Sequence, residues 1–172
     1  MPNRILVTYA SRTGSTAEVA EAIAKTLVEG GAQVDVVPMN AVKDLSPYQA
    51  VVVGSAIRGS KWLPEAVQFV QDHQTMLVQK KISMFTVCIT MAMKKAANYR
   101  SGVMGWVAPV RLMVKPLSEE LFAGRLDFSK LPLNKDTLGL RLSVAMGIFP
   151  RGDHRDWDAI GAWAQSLRPI LG

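Results

Sequence analysis

Short runs of apolar residues alternate with amphipathic segments through the first half of the chain. Four of these runs predict buried β-strands, because aliphatic and β-branched residues follow one another with little polar interruption: 5–8, 34–37, 50–54 and 82–90. The intervening segments predict helices, one from Thr16 to Val28 and one that begins at Pro64. The first half is therefore an alternation of strands and helices.

The second half of the chain is longer than one further helix and one further strand require. Residues 121–128 are the candidate for a fifth strand, and an apolar insertion over about residues 129–152 follows it. A last helix is predicted from Trp157 onward, with Asp153 or Asp156 as its cap. Pro169 would close this helix.

Strands that are apolar throughout and alternate with helices indicate a parallel sheet covered on both faces. We therefore predict an α/β fold, a single doubly wound domain over residues 1–172 with a five-stranded parallel sheet and an insertion in its fifth-strand region. The length of 172 residues suits one domain, and a hydrophobic content of 49% argues against disorder. No run approaches the roughly 18 apolar residues that a membrane-spanning helix needs.

The N-terminal segment, the cysteine and the histidines limit the cellular compartment and the metal sites that we expect. The apolar run near the N-terminus is too short for the core of a signal peptide, which predicts a cytoplasmic protein. Cys88 is the single cysteine, so an internal disulfide or a cysteine-based zinc site is not expected. His73 and His154 lack the spacing of metal ligands, and we predict no metal site.

The charge is divided unevenly along the chain. Residues 1–79 carry a net charge of −1 and residues 80–172 a net charge of +7, and no acidic residue lies between Asp72 and Glu119. A stretch of one sign projects a positive potential toward anionic partners, or it is simply a solvated basic surface. Nucleic acid is not expected as a partner, because no aromatic pattern or reading motif accompanies the basic residues.

The loop between the first strand and the first helix has the composition of a phosphate site. Free backbone N–H groups and the positive end of the helix dipole converge there, and a glycine permits a tight turn. The loop lacks both the Lys-Ser/Thr ending of a nucleoside triphosphate loop and the further glycines of a dinucleotide fold. A terminal monophosphate therefore fits it best, although a capped turn without ligand stays open. The predicted phosphate residues are Ser11, Arg12, Thr13, Gly14, Ser15 and Thr16.

Residues 8–16, Thr-Tyr-Ala-Ser-Arg-Thr-Gly-Ser-Thr, resemble the FMN-phosphate signature of flavodoxins. Residues 54–58, residues 122–128 and the Asp156-Trp157 pair resemble a narrower branch of the flavodoxin-domain family, the one containing menaquinone-dependent protoporphyrinogen oxidase. The resemblance implies a flavodoxin-like fold, FMN as cofactor, and passage of electrons from a reduced substrate to a quinone. In that branch the insertion is strongly basic and aromatic. Here it is apolar, so the specific substrate is less well defined than the flavin.

The resemblance also implies that the isoalloxazine ring lies between the loops after the third and fourth strands. Trp62 would stack on the ring or pack ahead of the Pro64 helix. Arg58 would place a positive charge near the ring or face solvent, and Gly59 would allow a peptide rotation near the flavin or form a plain turn. The residues predicted from this first loop are Ser55, Ala56, Ile57, Arg58, Gly59 and Trp62.

The loop after the fourth strand would supply backbone groups to the pyrimidine edge of the ring. Cys88 is expected there as a small buried apolar residue rather than as a redox thiol. Tyr99 is the candidate for a second aromatic residue against the ring. The residues predicted from this side are Val87, Cys88, Ile89, Thr90, Met91 and Tyr99.

The leading functional prediction is an FMN-dependent oxidoreductase of the protoporphyrinogen-oxidase-like group. Its small-molecule substrate would be anionic, such as a porphyrinogen with propionates, and its acceptor a quinone. The apolar insertion with its bases Lys135 and Arg141 suggests peripheral contact with an anionic membrane. Two alternatives stay open: a flavodoxin-type electron carrier, against which the net charge of +6 counts, and an NAD(P)H-dependent quinone reductase.

Overall fold

A parallel sheet forms the centre of the computed structural model, which describes residues 3–172 and every side chain among them except that of Asp136. The strands run parallel in the order β2-β1-β3-β5-β6, which confirms the predicted five-stranded α/β fold. The strands are β1 (Arg4–Ala10), β2 (Gln33–Pro38), β3 (Ala50–Arg58), β4 (Lys61–Trp62), β5 (Lys81–Val87), β6 (Ser118–Phe122), β7 (Arg125–Leu126) and β8 (Gly152–Asp153).

Helices cover both faces of this sheet, as a doubly wound fold requires. The first and last helices pack in one apolar cluster with alternate residues of the strands, and the second and third helices pack in the other. Within residues 3–172, no helix combines the length and the apolar character needed to cross a bilayer. The helices are α1 (Ser15–Glu29), α2 (Pro64–Leu77), α3 (Ala97–Val114), α4 (Lys135–Ala145) and α5 (Trp157–Leu171).

The central strands are buried on both sides, which explains their continuous apolar sequence. Ile5 and Val7 belong to one core cluster, whereas Leu6 between them belongs to the other. Gly54 lets β3 approach β5 closely, because a Cβ atom at this position would lie 2.0 Å from the ring of Phe85. Alternation of side chains across the sheet thus joins the two halves of the core.

The third strand is longer than predicted. It continues through Ser55 to Arg58 and folds back as β4, where Ile57 pairs with Trp62 and Arg58 with Lys61. Gly59 and Ser60 form the turn with φ angles of 58° and 59°. Two positive φ angles are typical of the tight turns that match the twist of a hairpin, so the segment predicted as an open loop is a β-hairpin.

The fourth and fifth predicted strands end earlier than the sequence indicated. The fourth, β5, stops at Val87 instead of reaching residue 90, and the fifth, β6, covers Ser118–Phe122 instead of 121–128. Beyond Gly124 the chain leaves the sheet, and β7 pairs antiparallel with β8. This small ladder joins the two ends of the segment that carries α4. We call this segment, residues 123–156 between β6 and α5, the excursion. The end of the predicted fifth strand thus depends on pairing between residues 125 and 153, which the local sequence pattern does not reveal.

The last helix also corrects one prediction. Asp156 is its cap, since its carboxylate accepts a hydrogen bond from the N–H of Ala159 at 2.9 Å. Pro169 does not close the helix but lies inside its last turn, and the helix continues to Leu171, which is fully buried. Burial of the final apolar residue outweighs the single hydrogen bond that a proline removes.

A cluster of charged side chains ties the base of the excursion to the first turn of α1. The guanidinium of Arg155, only 3% exposed, donates to Asp153 at 2.6 Å, to the carboxylate of Glu18 and to the carbonyl oxygen of Ser15. Hydrogen bonding from Arg155 lowers the pKa of Asp153 to about 2 and also lowers the pKa of Glu18. The cluster therefore keeps its charges over the whole neutral range.

We expect Asp153→Asn to reduce the free energy of unfolding at neutral pH, by no more than about 1 kcal/mol since the carboxylate is partly exposed. The contribution of a carboxylate with a lowered pKa is present above its unfolded pKa and is lost as the pH falls through the folded one. The difference between wild type and variant should therefore narrow between about pH 4 and pH 2. Urea unfolding across this range tests it, with the exposed Asp158→Asn as control; a constant difference would contradict the role of Asp153.

Candidate functional site

A cavity of about 330 Å³ lies at the carboxyl ends of the central strands. Its walls come from the loop between β1 and α1, from the β3–β4 hairpin, from the segment after β5 and from the excursion that follows β6. Ligands of open α/β sheets bind at this edge, where the connections diverge to opposite faces. The cavity is therefore the candidate functional site of the chain.

The start of α1 forms a polar part of the site. Gly14 precedes the helix with φ of 91°, and no side chain caps the first turn. The N–H of Gly14 donates to Ser11 Oγ at 3.1 Å, which holds the loop in its turn. Since the first N–H groups of a helix have no intrahelical acceptor, this uncapped turn can bind an anion with its backbone donors and its dipole.

Thr16 provides a second sign of a missing polar ligand. Its side chain is fully buried, its hydroxyl has no hydrogen-bond partner, and the residue lines the cavity. A buried hydroxyl without a partner destabilises a protein unless a ligand or a water satisfies it. Together with the uncapped turn, this hydroxyl fits a phosphate group held by neutral donors.

The structure brings most of the predicted site residues together around this one cavity, although they come from three separate segments of the chain. This grouping results from the parallel register of β1, β3 and β5, which aligns their carboxyl ends. The predicted residues that line the cavity are Ser11, Arg12, Thr13, Ser15, Thr16, Ala56, Ile57, Arg58, Gly59, Val87, Cys88, Ile89 and Thr90.

Trp62 lies in the core, which contradicts its predicted stacking on a flavin ring. It is 2% exposed, and its indole Nε1 donates to Thr86 Oγ1 at 2.8 Å. Pairing of β4 with β3 turns this side chain toward the cluster under α2, so the alternative of packing ahead of Pro64 is the one observed. Nearby, Ser55 is also buried and accepts a hydrogen bond from the N–H of Leu63, which supports the hairpin rather than the cavity.

Three other predicted residues lie outside the cavity lining. Gly14 is not among the residues that line the cavity; it forms the turn before α1. Met91 packs against the small apolar cluster formed by Cys88, Val103 and Leu121, and Tyr99 is 43% exposed on the first turns of α3. Cys88 itself is 4% exposed within that cluster, as expected for a small apolar residue.

Sequence reasoning missed the far wall of the cavity. Trp106 on α3 contributes the one aromatic residue from the helices, and Phe149 contributes another from the end of the excursion. The remaining residues of this wall come from the same excursion: Gly124, Arg125, Leu126, Asp127, Leu131, Thr137 and Leu140. Residues 124–127 lie in the 122–128 motif but are not among the predicted site residues, and no motif marks Leu131, Thr137 or Leu140. All of them reach the site because β7 and β8 pair and fold this segment back.

The chain matches the flavodoxin domain model over residues 6–139, more than half of its length. It belongs to the flavodoxin-domain family. This match includes the β1–α1 loop and both hairpin strands β3 and β4. No curated protein gave a significant match to the chain.

Solved structures show the same fold in flavodoxins of low sequence identity. A short-chain flavodoxin associated with a non-canonical PDU bacterial microcompartment is 13% identical, with a TM-score of 0.64 and coverage of 99% of both chains. A flavodoxin from the domain Archaea is 18% identical, with a TM-score of 0.56 and coverage of 98% of both chains. Rubredoxin oxygen:oxidoreductase from the anaerobe Desulfovibrio gigas is 16% identical, with a TM-score of 0.61; the match covers 99% of this chain and 36% of that longer one.

Membership of the flavodoxin-domain family confirms FMN as the predicted cofactor and places the protein among redox proteins that transfer electrons. FMN supplies the reversible uptake and release of electrons. The residues present fit this group: the uncapped turn and the unpartnered Thr16 hydroxyl suit its phosphate. The apolar walls around Ile57 and Trp106 suit a flat ring.

Thr16→Val tests the phosphate assignment. The substitution should weaken FMN binding about tenfold or more, because a hydrogen bond to a charged group contributes roughly 1.5–3 kcal/mol. The stability of the flavin-free protein should be unchanged or higher, since a buried hydroxyl without a partner is removed. Fluorescence titration of FMN and urea unfolding measure the two effects.

Thr8→Val is the matched control. The hydroxyl of Thr8 is also buried and unpartnered, but this residue lies in β1 and does not line the cavity. Its substitution should change stability in the same direction and leave FMN binding unaffected. Equal FMN affinities of the Thr16 and Thr8 variants would show that the phosphate lies elsewhere.

Proposed function

We propose that this flavodoxin-domain protein is an FMN-dependent oxidoreductase that takes electrons from a reduced, anionic organic substrate and delivers them to a quinone. In each cycle the substrate loses two electrons and two protons, and one quinone becomes its quinol. A porphyrinogen is the leading substrate, because the motifs at residues 54–58 and 122–128 resemble the protoporphyrinogen oxidase branch. The basic second half of the chain is complementary to its propionates.

One observation carries the proposal of an enzyme over that of a carrier. The excursion after β6 folds back and adds Leu131, Leu140 and Phe149 to the wall of the flavin cavity. A carrier needs only an exposed edge of its flavin, whereas an enzyme needs a walled space in which a substrate is held and water is excluded. The apolar character of this wall suits a ring system and a quinone.

The wall is held in place by contacts within the excursion. Arg141 donates hydrogen bonds to the carbonyl oxygens of Phe128 at 3.2 Å and Leu131 at 3.0 Å. Asn134 caps α4 by accepting from the N–H of Thr137 at 3.0 Å. These contacts give the inner face of the excursion a defined shape, as a binding wall requires.

A flavodoxin-type carrier is the second candidate. Its support is the overall similarity to flavodoxins, which extends over nearly the full length of two of the solved structures. An NAD(P)H-dependent quinone reductase on the same fold is the third candidate, and no described residue favours it over the other two. The three differ in what reduces the bound flavin.

Anaerobic titration of the FMN-loaded protein distinguishes these functions. Protoporphyrinogen IX should bleach the flavin absorbance, and menaquinone should then restore it. Bleaching by NADPH instead would indicate a quinone reductase. Bleaching by a reduced protein donor, with no effect of the porphyrinogen, would indicate a carrier and overturn the proposed reaction.

We further propose that the outer face of the excursion touches an anionic membrane. Leu138 and Leu142 on α4 and Met146 directly after it follow one another at four-residue spacing, and each is about 60% exposed. Leu133, just before α4, is 86% exposed. Exposed apolar side chains with bases in the same segment suit contact with an anionic lipid surface.

Replacing both Leu138 and Leu142 by Gln tests this contact. The wild-type protein should co-sediment at low salt with vesicles that contain phosphatidylglycerol, and the double variant should do so several-fold less. Leu112→Gln is the control, because Leu112 is 73% exposed on α3 outside the excursion. Wild-type protein that stays in the supernatant, or equal losses in both variants, would exclude the contact.

A further inference from the structure

A second cavity, of about 730 Å³, lies beside the flavin cavity. We name it the side groove; its walls are the β1–α1 loop, the turn of the β3–β4 hairpin, the start of α2 and residues 130–134. The lining that matters here consists of three cations and an apolar floor: Arg12, Arg58, Lys130, Leu63, Leu131 and Pro132. Neither the phosphate assignment at the start of α1 nor the proposed membrane contact depends on the side groove.

The charges of the side groove are only partly matched. Arg12 pairs with Glu65 at 2.5 Å. Arg58 and Lys130 are exposed, and neither forms an ion pair with a described side chain, that is, with any in residues 3–172 other than Asp136. No carboxylate belongs to the described lining of the groove. Two cations from separate chain segments therefore line a common groove whose described lining includes no carboxylate, an arrangement that favours an anionic ligand.

Asp127 is the acidic residue nearest to Lys130 in sequence, and its carboxylate is hydrogen-bonded to Ser129. Its carboxylate accepts hydrogen bonds from the N–H of Ser129 at 3.0 Å and from the hydroxyl of Ser129 at 2.6 Å. These bonds lower the pKa of Asp127, and the charges of Lys130 and Arg125 lower it further to a smaller extent. Asp127 lines the flavin cavity and not the groove, so it does not take the place of an anionic ligand there.

The side groove borders the flavin cavity directly. Arg12, Thr13, Arg58, Gly59 and Leu131 line both spaces. A ligand in the groove would therefore border the β1–α1 loop and the turn of the β3–β4 hairpin, both of which also line the flavin cavity. In the proposed function, this shared wall would bring the substrate close to the flavin.

We propose that the side groove binds an amphipathic organic anion, with its ring system on Leu131 and Pro132 and its acidic group on Arg58 and Lys130. In the proposed oxidoreductase this ligand is the reduced substrate, and that part rests on the proposed function. Preference for an anion over a neutral ring of the same shape does not depend on it. Lys130 is the decisive residue, since it lines the groove but not the flavin cavity.

A pair of probes with the same ring system tests the preference. Anthraquinone-2-sulfonate and neutral 2-(hydroxymethyl)anthraquinone are titrated into the FMN-loaded full chain, with binding followed by equilibrium dialysis and by the flavin difference spectrum. The sulfonate should bind several-fold more tightly than the neutral compound. Lys130→Gln should reduce sulfonate affinity several-fold and leave neutral-ring affinity nearly unchanged, because an ion pair at an exposed site contributes up to about 1 kcal/mol.

Lys135→Gln is the matched control, because Lys135 is an exposed cation of the same excursion outside the groove lining. It should bind both probes as the wild type does. Arg58→Gln should lower sulfonate affinity as Lys130→Gln does, and the double variant should lose the preference for the anion. Equal affinities of the wild type for both probes, or equal effects of the Lys130 and Lys135 variants, would overturn the proposal.

Two further outcomes separate this proposal from the proposed function. Displacement of the sulfonate by added FMN would show that the groove is part of the flavin site, and would overturn the inference. A chain that takes up no FMN but still prefers the sulfonate in dialysis would retain the groove and refute the oxidoreductase. A flavin that porphyrinogen bleaches, in a protein without anion preference, would retain the oxidoreductase and refute the groove.

Discussion

The uncapped first turn of α1 is the constraint on which the chemistry of this fold depends. Gly14 turns the chain into the helix in a left-handed conformation, and no side chain then competes for the first N–H groups. The buried hydroxyl of Thr16 adds another donor without a partner. A phosphate would satisfy these groups together. The position of the flavin would then follow from this anchor.

The donors at the start of α1 are neutral, so the cationic side chains around the site remain available to a second anion. Glu65 neutralises Arg12, the arginine of the phosphate loop itself. Arg58 lines both the flavin cavity and the side groove, whereas Lys130 lines the groove alone. In the proposed function, backbone and hydroxyl donors would bind the cofactor phosphate, and these two side-chain charges would bind the anionic substrate.

The excursion after β6 turns a flavodoxin-type edge into a walled site. The β7–β8 ladder joins its two ends, and Arg155 links this ladder to Glu18 and to the first turn of α1. The wall therefore shares its support with the phosphate anchor. The same segment lines the cavity with Leu131, Leu140 and Phe149, whereas its Leu133, Leu138 and Leu142 are exposed.

Local pattern determined much of this protein by itself. Continuous apolar strands between amphipathic helices predicted the five-stranded parallel sheet, and the loop from Ser11 to Thr16 predicted a phosphate anchor, because both signals lie within a few neighbouring residues. Tertiary structure decided what depends on distant pairing. Trp62 enters the core because β4 folds back on β3, and Trp106 and Phe149 reach the cavity although they lie far apart in sequence. No local periodicity encodes such contacts, since their stability comes from elements that meet only after folding.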